Sequence, residues 1–318
     1  MQDGCIWSTR WIKRVSVKIA VIGKTGQLAQ ALAQRAAETD FDVVFYDRAD
    51  CDLSASSETI TQFMEAIPRP DIVILAAAYT NVDGAEDERD LAFAVNARAP
   101  EAIAKFCAAL DIPLVHISTD CVFDGTKKIP YMPEDKTNPI NVYGASKLAG
   151  ERALLSSGAR VCILRTSWVY GAMAHNFMAI MLGLAPVKPE IKVVADQIGL
   201  PTNVLHFAGA VFTVAKGMHE HQPDSAGIFH ICGSGAPISR YAFAQAIFLK
   251  AYRHWPYRVI VTPIASHEFA SKAQRPLYCA LDNRKYERVF GCALPKWDDG
   301  LEQACIIWCK NKNAQQAR

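Results

Sequence analysis

The chain has 318 residues, 51% apolar and 21% charged, with a net charge of +2. That length supports one large or two modest domains with a substantial core, and the balanced charge, without a long basic run, leaves no electrostatic footprint for nucleic acid. No stretch approaches the about 18 consecutive apolar residues of a membrane span. Residues 1–16 hold Asp3, Trp7 and Trp11 rather than the apolar run of a signal peptide, so they read as an N-terminal extension of a cytoplasmic protein. The ten cysteines include no Cys-x-x-Cys pair, and several fall inside apolar patterns, as buried reduced thiols do. Cys305 and Cys309 would share a helix face, but no neighbouring His or Cys completes a zinc set, and no metal is expected.

In chain order, Val17–Ile22 reads as a buried strand that runs into Gly23-Lys-Thr-Gly26-Gln27-Leu28-Ala29 and a helical pattern through Glu38. Gly23 and Gly26 permit a tight turn and close approach of a pyrophosphate to N–H groups at the helix start. Ala29 stands where a third glycine is usual, adding one methyl at the helix–strand contact. The next strand, Val43–Tyr46, ends in Asp47, 21 residues beyond Gly26, where a ribose-binding carboxylate belongs. Arg48 follows and could instead meet a 2′-phosphate, so the choice between NADH and NADPH stays open.

A helix around Ser56–Ile67 precedes a strand over Asp71–Ala78 that ends in small residues, and a helical region spans about Glu88–Leu110. Leu114–Asp120 is a strand closing in Ser118, Thr119 and Asp120, and Val161–Arg165 is another. This alternation predicts an α/β fold, a Rossmann-type doubly wound parallel sheet, with the nucleotide motif on its first strand. Beyond Arg165 the pattern turns irregular and richer in Pro, Gly and aromatics, which suggests a smaller, discontinuous substrate-binding portion. The expected division is 17–166 for the cofactor domain, completed by about 204–232, with 167–203 and 233–318 binding substrate; segments 208–216 and 227–231 are candidates to return to the sheet.

Tyr143 and Lys147 carry the chemistry, because one helical turn puts phenol and ammonium on the same face. A tyrosine near its reference pKa of about 10 is a poor acid–base catalyst at neutral pH, and the lysine is expected to lower it. A Ser or Thr hydroxyl nearby can hold a substrate carbonyl, and Asp120 can accept a bond from a sugar hydroxyl. His116 reads as a core residue of its strand, and Asn96 as a brace for the sheet or for a water near Lys147.

These motifs, with Ala76–Asp83, Ser118–Gly125, Asn141–Glu151, Arg165–Tyr170, Asn176-Phe177, Asp196–Thr202 and Gln274-Arg275-Pro276, resemble the extended short-chain dehydrogenase/reductases. Within them the match is to the dTDP-4-dehydrorhamnose reductases, over roughly residues 17–310. The resemblance implies NADPH- or NADH-dependent reduction of the 4-keto group of dTDP-6-deoxy-L-lyxo-4-hexulose. It implies that Gly26, Gln27, Leu28 and Asp47 hold the pyrophosphate and adenosine side of the cofactor, that Asp52 and Leu53 flank the adenine, and that Ala78, Tyr79 and Thr80 line the middle of the dinucleotide. Thr119 and Asp120 would contact the sugar and Trp168 would pack against its ring. Thr119 would also assist the phenol of Tyr143, and Lys147 would hold the nicotinamide ribose. Arg275 would clamp the nucleotide pyrophosphate or form a surface ion pair.

Two departures stand out. Cys121 occupies the place of the family's usual tyrosine, which leaves the pocket wall roomier. Some members bind magnesium at a dimer contact through a glutamate after the Pro-Thr run; here Asn203-Val-Leu-His206 offers no carboxylate, so magnesium is not expected there and a homodimer stays an open partner. The other readings are an epimerase or dehydratase of the same superfamily, and a non-catalytic regulatory subunit like that of methionine adenosyltransferase. A dehydratase needs an added acid–base carboxylate, for which only Asp120 offers itself, and an intact Tyr143–Lys147 pair argues against a dead site.

Overall fold

The computed structural model describes residues 16–173 and 175–316; the expected extension, apart from Ser16, and Cys5 lie outside them. A six-stranded sheet organises the chain. Its strands are β1 (Lys18–Ile22), β2 (Asp42–Tyr46), β3 (Ile72–Leu75), β4 (Leu114–Thr119), β5 (Val161–Thr166) and a sixth, Gly227–His230, taken up as β10 below. The spatial order is β2-β1-β3-β4-β5 and then the sixth strand, every pairing parallel. The order reverses between β1 and β3, where a doubly wound sheet opens a crevice at the carboxyl ends of its strands. The expected fold class is borne out.

Helices cover both faces. One face carries α1 (Gln27–Ala36) and, further along, α8 (Val204–His219) and α10 (Arg284–Phe290), with Leu28, Leu32, Phe207, Val211 and Tyr286 buried against Ile19, Val21 and Ile74. The other carries α2 (Ser57–Ala66) and α5 (Ala99–Ala109), with Ile60, Met64 and Ile103 on Ala20, Ile22 and Val73. Strands β1, β3, β4 and β5 are therefore buried on both sides, which explains why their sequences are near-continuous apolar runs. Of the two segments expected to return to the sheet, only 227–231 does so. Residues 208–216 lie inside α8, whose small and apolar residues recur at helical rather than strand spacing.

After β3 comes a short α3 (Gly84–Asp87), and the expected helical region of about Glu88–Leu110 is divided into α4 (Arg89–Phe93), a π-helical turn, Ala94–Arg98, and α5. The catalytic-motif helix α6 (Val142–Leu155) packs on that turn and on β4. Its start is capped twice: Asn141 accepts from Gly144 N at 2.7 Å and Glu86 accepts from Val142 N at 2.9 Å. The remaining elements are β6 (Val169–Tyr170), α7 (Phe177–Leu184), β7 (Glu190–Val194), β8 (Ile198–Gly199), β9 (Thr202–Asn203), β10 (Gly227–His230), β11 (Ile238–Ser239), α9 (Arg240–Ala251), β12 (Ile260–Ile264) and α11 (Leu301–Gln316). Around α7, α9 and α11 a separate apolar cluster forms, and Cys305 and Cys309 are buried in it. Asn203 caps α8, accepting from Leu205 N at 2.9 Å. Among the described cysteines only Cys121 and Cys292 are not fully buried, and no described helix is long and apolar enough to cross a membrane.

The close seat of α6 depends on missing side chains. A Cβ on Gly150 would collide with the carbonyl of Asn96, and one on Gly144 with the carbonyl of Cys121. Backbone cannot yield as a flexible side-chain tip can, so Gly150→Ala is expected to destabilise the protein by about 1–3 kcal/mol, as overpacking does. Urea unfolding would read this as a lower midpoint at unchanged slope; a wild-type midpoint would mean that α6 can ride outward at no cost.

Candidate active site

The sequence-predicted residues gather at the carboxyl ends of the parallel strands. Gly23 and Gly26 form the β1–α1 turn, with Gly23 at φ 117° and its N–H bonded to the carbonyl of Tyr46 at 2.8 Å. A side chain on Gly23 would press on the backbone of Ala77, whereas one on Gly26 would meet nothing within 4 Å. Gly26 is the N-cap of α1 and supplies no side-chain cap, which leaves the first-turn N–H groups without that partner. Beside them Gln27 Oε1 is buried without a hydrogen-bond partner. An open cradle at a helix N-terminus and free N–H groups fit the phosphates of a dinucleotide.

Asp47 follows β2, and its Oδ1 accepts from Ala49 N at 2.8 Å and Asp50 N at 3.3 Å. Those backbone bonds, then the charge of Lys24 with its Nζ 3.7 Å from Oδ2, hold the carboxyl below the usual range. Arg48 points outward and pairs with Asp52 at 3.2 Å; Asp52 also accepts from Ser54 N at 2.9 Å, and Leu53 is buried. Ala78, Tyr79 and Thr80 follow β3. Asn96, in the π-helical turn, grips both sides of the Tyr79 peptide groups: its Oδ1 accepts from Tyr79 N at 2.9 Å and its Nδ2 donates to Tyr79 O at 3.0 Å. The same Nδ2 donates to Ser146 Oγ on α6 at 2.9 Å, so Asn96 ties the loop after β3 to the helix bearing Tyr143 and Lys147.

At the end of β4, Thr119 Oγ1 donates to Asp120 Oδ1 at 2.9 Å and accepts from Cys121 N at 3.2 Å. Burial pushes the Tyr143 phenol well above its ordinary value, against hydrogen bonding by Thr119 and the charge of Arg275, which draw it down. The expectation that Lys147 lowers this phenol is therefore corrected for the ligand-free site, where desolvation outweighs every nearby charge. Lys147 is itself 1% exposed, and burial brings its ammonium down to about 8, with the Glu151 charge opposing. Asp120 is buried and raised, first by desolvation, with Cys279, Thr119 and Arg240 working the other way. Burial pushes the Cys121 thiol up to about 12, which disfavours its thiolate.

Trp168 follows β5 in a left-handed conformation, φ 46°, costly for a bulky residue and of a kind that clusters at ligand sites. The Arg240 guanidinium lies 3.7 Å from its ring centroid. Arg275 reaches the phenol only through its charge; its Nη2 donates to Asp83 Oδ2 at 2.9 Å, while Asp83 Oδ1 also accepts from Ser271 Oγ and Ala273 N. In the ligand-free chain Arg275 thus takes the ion-pair role of its two expected ones, beside the pocket.

Sequence reasoning missed Arg240 and the partnership of His116, whose Nε2 lies 3.1 Å from Lys147 Nζ. It also missed the buried pair of Glu151 and Arg165, Nη2 to Oε2 at 2.6 Å. The pairs lie 31 and 14 residues apart in the chain, and no local pattern marks them.

A family profile for the RmlD substrate binding domain matches residues 17–307. A dTDP-4-dehydrorhamnose reductase of Sinorhizobium fredii is 41% identical over 293 residues, covering 92% of this chain and 97% of that protein. Among solved structures, a dTDP-4-dehydrorhamnose reductase from Clostridium acetobutylicum aligns with a TM-score of 0.83 at 33% identity, over 91% of this chain and 98% of that one. The Bacillus anthracis enzyme, solved in complex with NADP, gives 0.82 at 35% identity, over 92% and 99%. A dTDP-glucose 4,6-dehydratase from Streptomyces venezuelae, at 15% identity and a TM-score of 0.75, shares the fold alone. With the profile spanning nearly the whole sequence and relatives matched end to end, the chain belongs to the RmlD family of dTDP-4-dehydrorhamnose reductases.

Proposed function

We propose that this protein reduces the 4-keto group of dTDP-6-deoxy-L-lyxo-4-hexulose to give dTDP-L-rhamnose, with Tyr143 as the proton donor. The observation that carries this reading is a phenol and a fully buried lysine one turn apart on α6, the helix packed against β4, whose last residue is Thr119. The cofactor class is supported by the NADP bound to the Bacillus anthracis relative and by the open glycine turn.

In this reading the N–H groups at Gly26, Gln27 and Leu28 hold the pyrophosphate, with Gly23 letting the turn approach it. Asp47 and Arg48 meet the adenosine ribose, Asp52 and Leu53 flank the adenine, and Ala78, Tyr79 and Thr80 line the centre. A bound reduced nicotinamide supplies the hydride that goes to C4. Tyr143 gives its phenolic proton to the C4 oxygen as that oxygen becomes an alkoxide, and the charge of Lys147 stabilises the phenolate left behind. A phenol raised by burial stays protonated at neutral pH, so its proton is in place when the C4 oxygen gains charge. Thr119 orients the phenol, while Asp120, Trp168 and Arg275 hold the nucleotide sugar. The division into a cofactor half, 17–166 with 204–232, and a substrate half accompanies this reading.

Tyr143→Phe is expected to lower kcat by about 10²–10⁴-fold, the usual share of a general acid, with NADPH and NADH affinities nearly unchanged. The assay follows nicotinamide absorbance with the sugar product identified; turnover retained by the variant would overturn Tyr143 as donor. A second expectation concerns pH. Because Lys147 must carry its proton and burial has lowered it to about 8, kcat/KM for the cofactor falls as pH rises through that value. A profile flat up to about pH 10, the range of an ordinary amine, would remove Lys147 as the controlling group.

A further inference from the structure

His116 sits in the middle of β4, in register with Leu75 of β3 and Ile163 of β5 and flanked in sequence by Val115 and Ile117. An aliphatic residue would suit that position better as packing. The imidazole is instead 1% exposed, its Nδ1 is buried with no hydrogen-bond partner, and its Nε2 lies 3.1 Å from Lys147 Nζ. Leaving a buried polar nitrogen unpaired costs about 1–3 kcal/mol, so the ring is an expensive choice unless its other nitrogen does something.

We propose that His116 is a positioning residue for Lys147, its Nε2 accepting one of the three ammonium protons and thereby fixing the direction of the other two. An ammonium has donors and no acceptor, so the contact dictates the tautomer: Nε2 is bare and the proton of the neutral imidazole is on Nδ1. Burial, and then the Lys147 charge, keep His116 from becoming cationic. Glu151, one turn along α6, is the charge that favours the protonated form of Lys147. Between an acceptor on β4 and a carboxylate on its own helix, the lysine has a defined place, leaving two N–H bonds for the phenolate and the nicotinamide ribose. The last clause rests on the role given to Lys147 above; the contact and the tautomer do not.

The test compares His116→Leu, which removes the acceptor, with His116→Gln, whose Oε1 can restore it. The expected result is a kcat lowered about 10–100-fold in the leucine variant, as misplacement of a catalytic group produces, with KM for the nucleotide sugar within about twofold. The glutamine variant should recover to within about fivefold of wild type by the same argument. Equal losses in both variants, or a change in KM alone, would overturn the proposal. Should the leucine variant fail to fold, nitrogen NMR of histidine-labelled wild-type protein at neutral pH reads the tautomer directly. A protonated Nδ1 and bare Nε2 support the pairing, and a protonated Nε2 refutes it. A failed reductase assay of the wild-type protein would sink the reaction but leave that spectrum unaffected, so the two failures are distinguishable.

Discussion

Everything at the site hangs on one buried ion pair, Glu151 with Arg165, whose side chains are 1% and 2% exposed. Two charges taken out of water cost several kcal/mol each, and only a complete set of partners offsets that. Here the set is nearly complete. Glu151 Oε1 accepts from Ser118 Oγ at 2.5 Å and from Arg165 Nε at 2.9 Å, while Oε2 accepts from Arg165 Nη2 at 2.6 Å. Arg165 Nη1 donates to the Pro133 carbonyl at 3.3 Å and lies 3.4 Å from His230 Nε2. The network therefore binds α6 to β4, β5 and β10 and to the loop at 131–133. Since a mispaired charge in that interior is penalised heavily, the network fixes the register of α6 against the sheet.

Register is what the chemistry needs. Tyr143, Lys147 and Glu151 recur every four residues, so one side of α6 presents phenol, ammonium and carboxylate in succession. With Glu151 pinned, the other two are set at helical spacing along the end of β4. The glycines at 144 and 150 allow the approach, and the π-helical turn opposite them brings Asn96 to bear on both Tyr79 and Ser146. An extra residue in a helix locally widens it and re-aims its side chains, which is why such turns recur at functional sites. Here it lets one amide side chain join the loop after β3 to α6.

The fold was legible because its signals are local and repeated. Apolar runs of strand length, a glycine turn entering a helix and an acidic residue closing the second strand each follow from nearest-neighbour chemistry. The misreadings have a common cause as well. Residues 208–216 are apolar enough for a buried strand, but their small and apolar residues recur at helical spacing and pack against α1. His116 is the buried strand residue it was expected to be, but its contact with Lys147, like that of Arg240 with Trp168, joins residues far apart in sequence and leaves no local mark. Asn96 gives no sign of a π-helical turn in its neighbours. Long-range pairing is specified by the whole fold, and a single sequence read locally does not contain it.

The phenol shows the same lesson in energetic form. Four-residue spacing argues that lysine should make Tyr143 more acidic, and as a statement about two charges that is sound. Spacing carries no term for desolvation, which here is the largest influence on Tyr143, Lys147 and Asp120 alike, raising the two acids and lowering the base. The shifts have a shared direction: each favours the neutral form. A site that shifts its groups this way holds a proton on the phenol and gives up little energy to solvent when charge moves. In the proposed reaction, with Tyr143 as donor, reduction of the ketone creates negative charge on oxygen where the proton is stored, and the buried ammonium, costly beforehand, becomes favourable once the phenolate forms. Under that proposal, the burial that opposes acid catalysis in the resting site is what gives the lysine its leverage in the transition state.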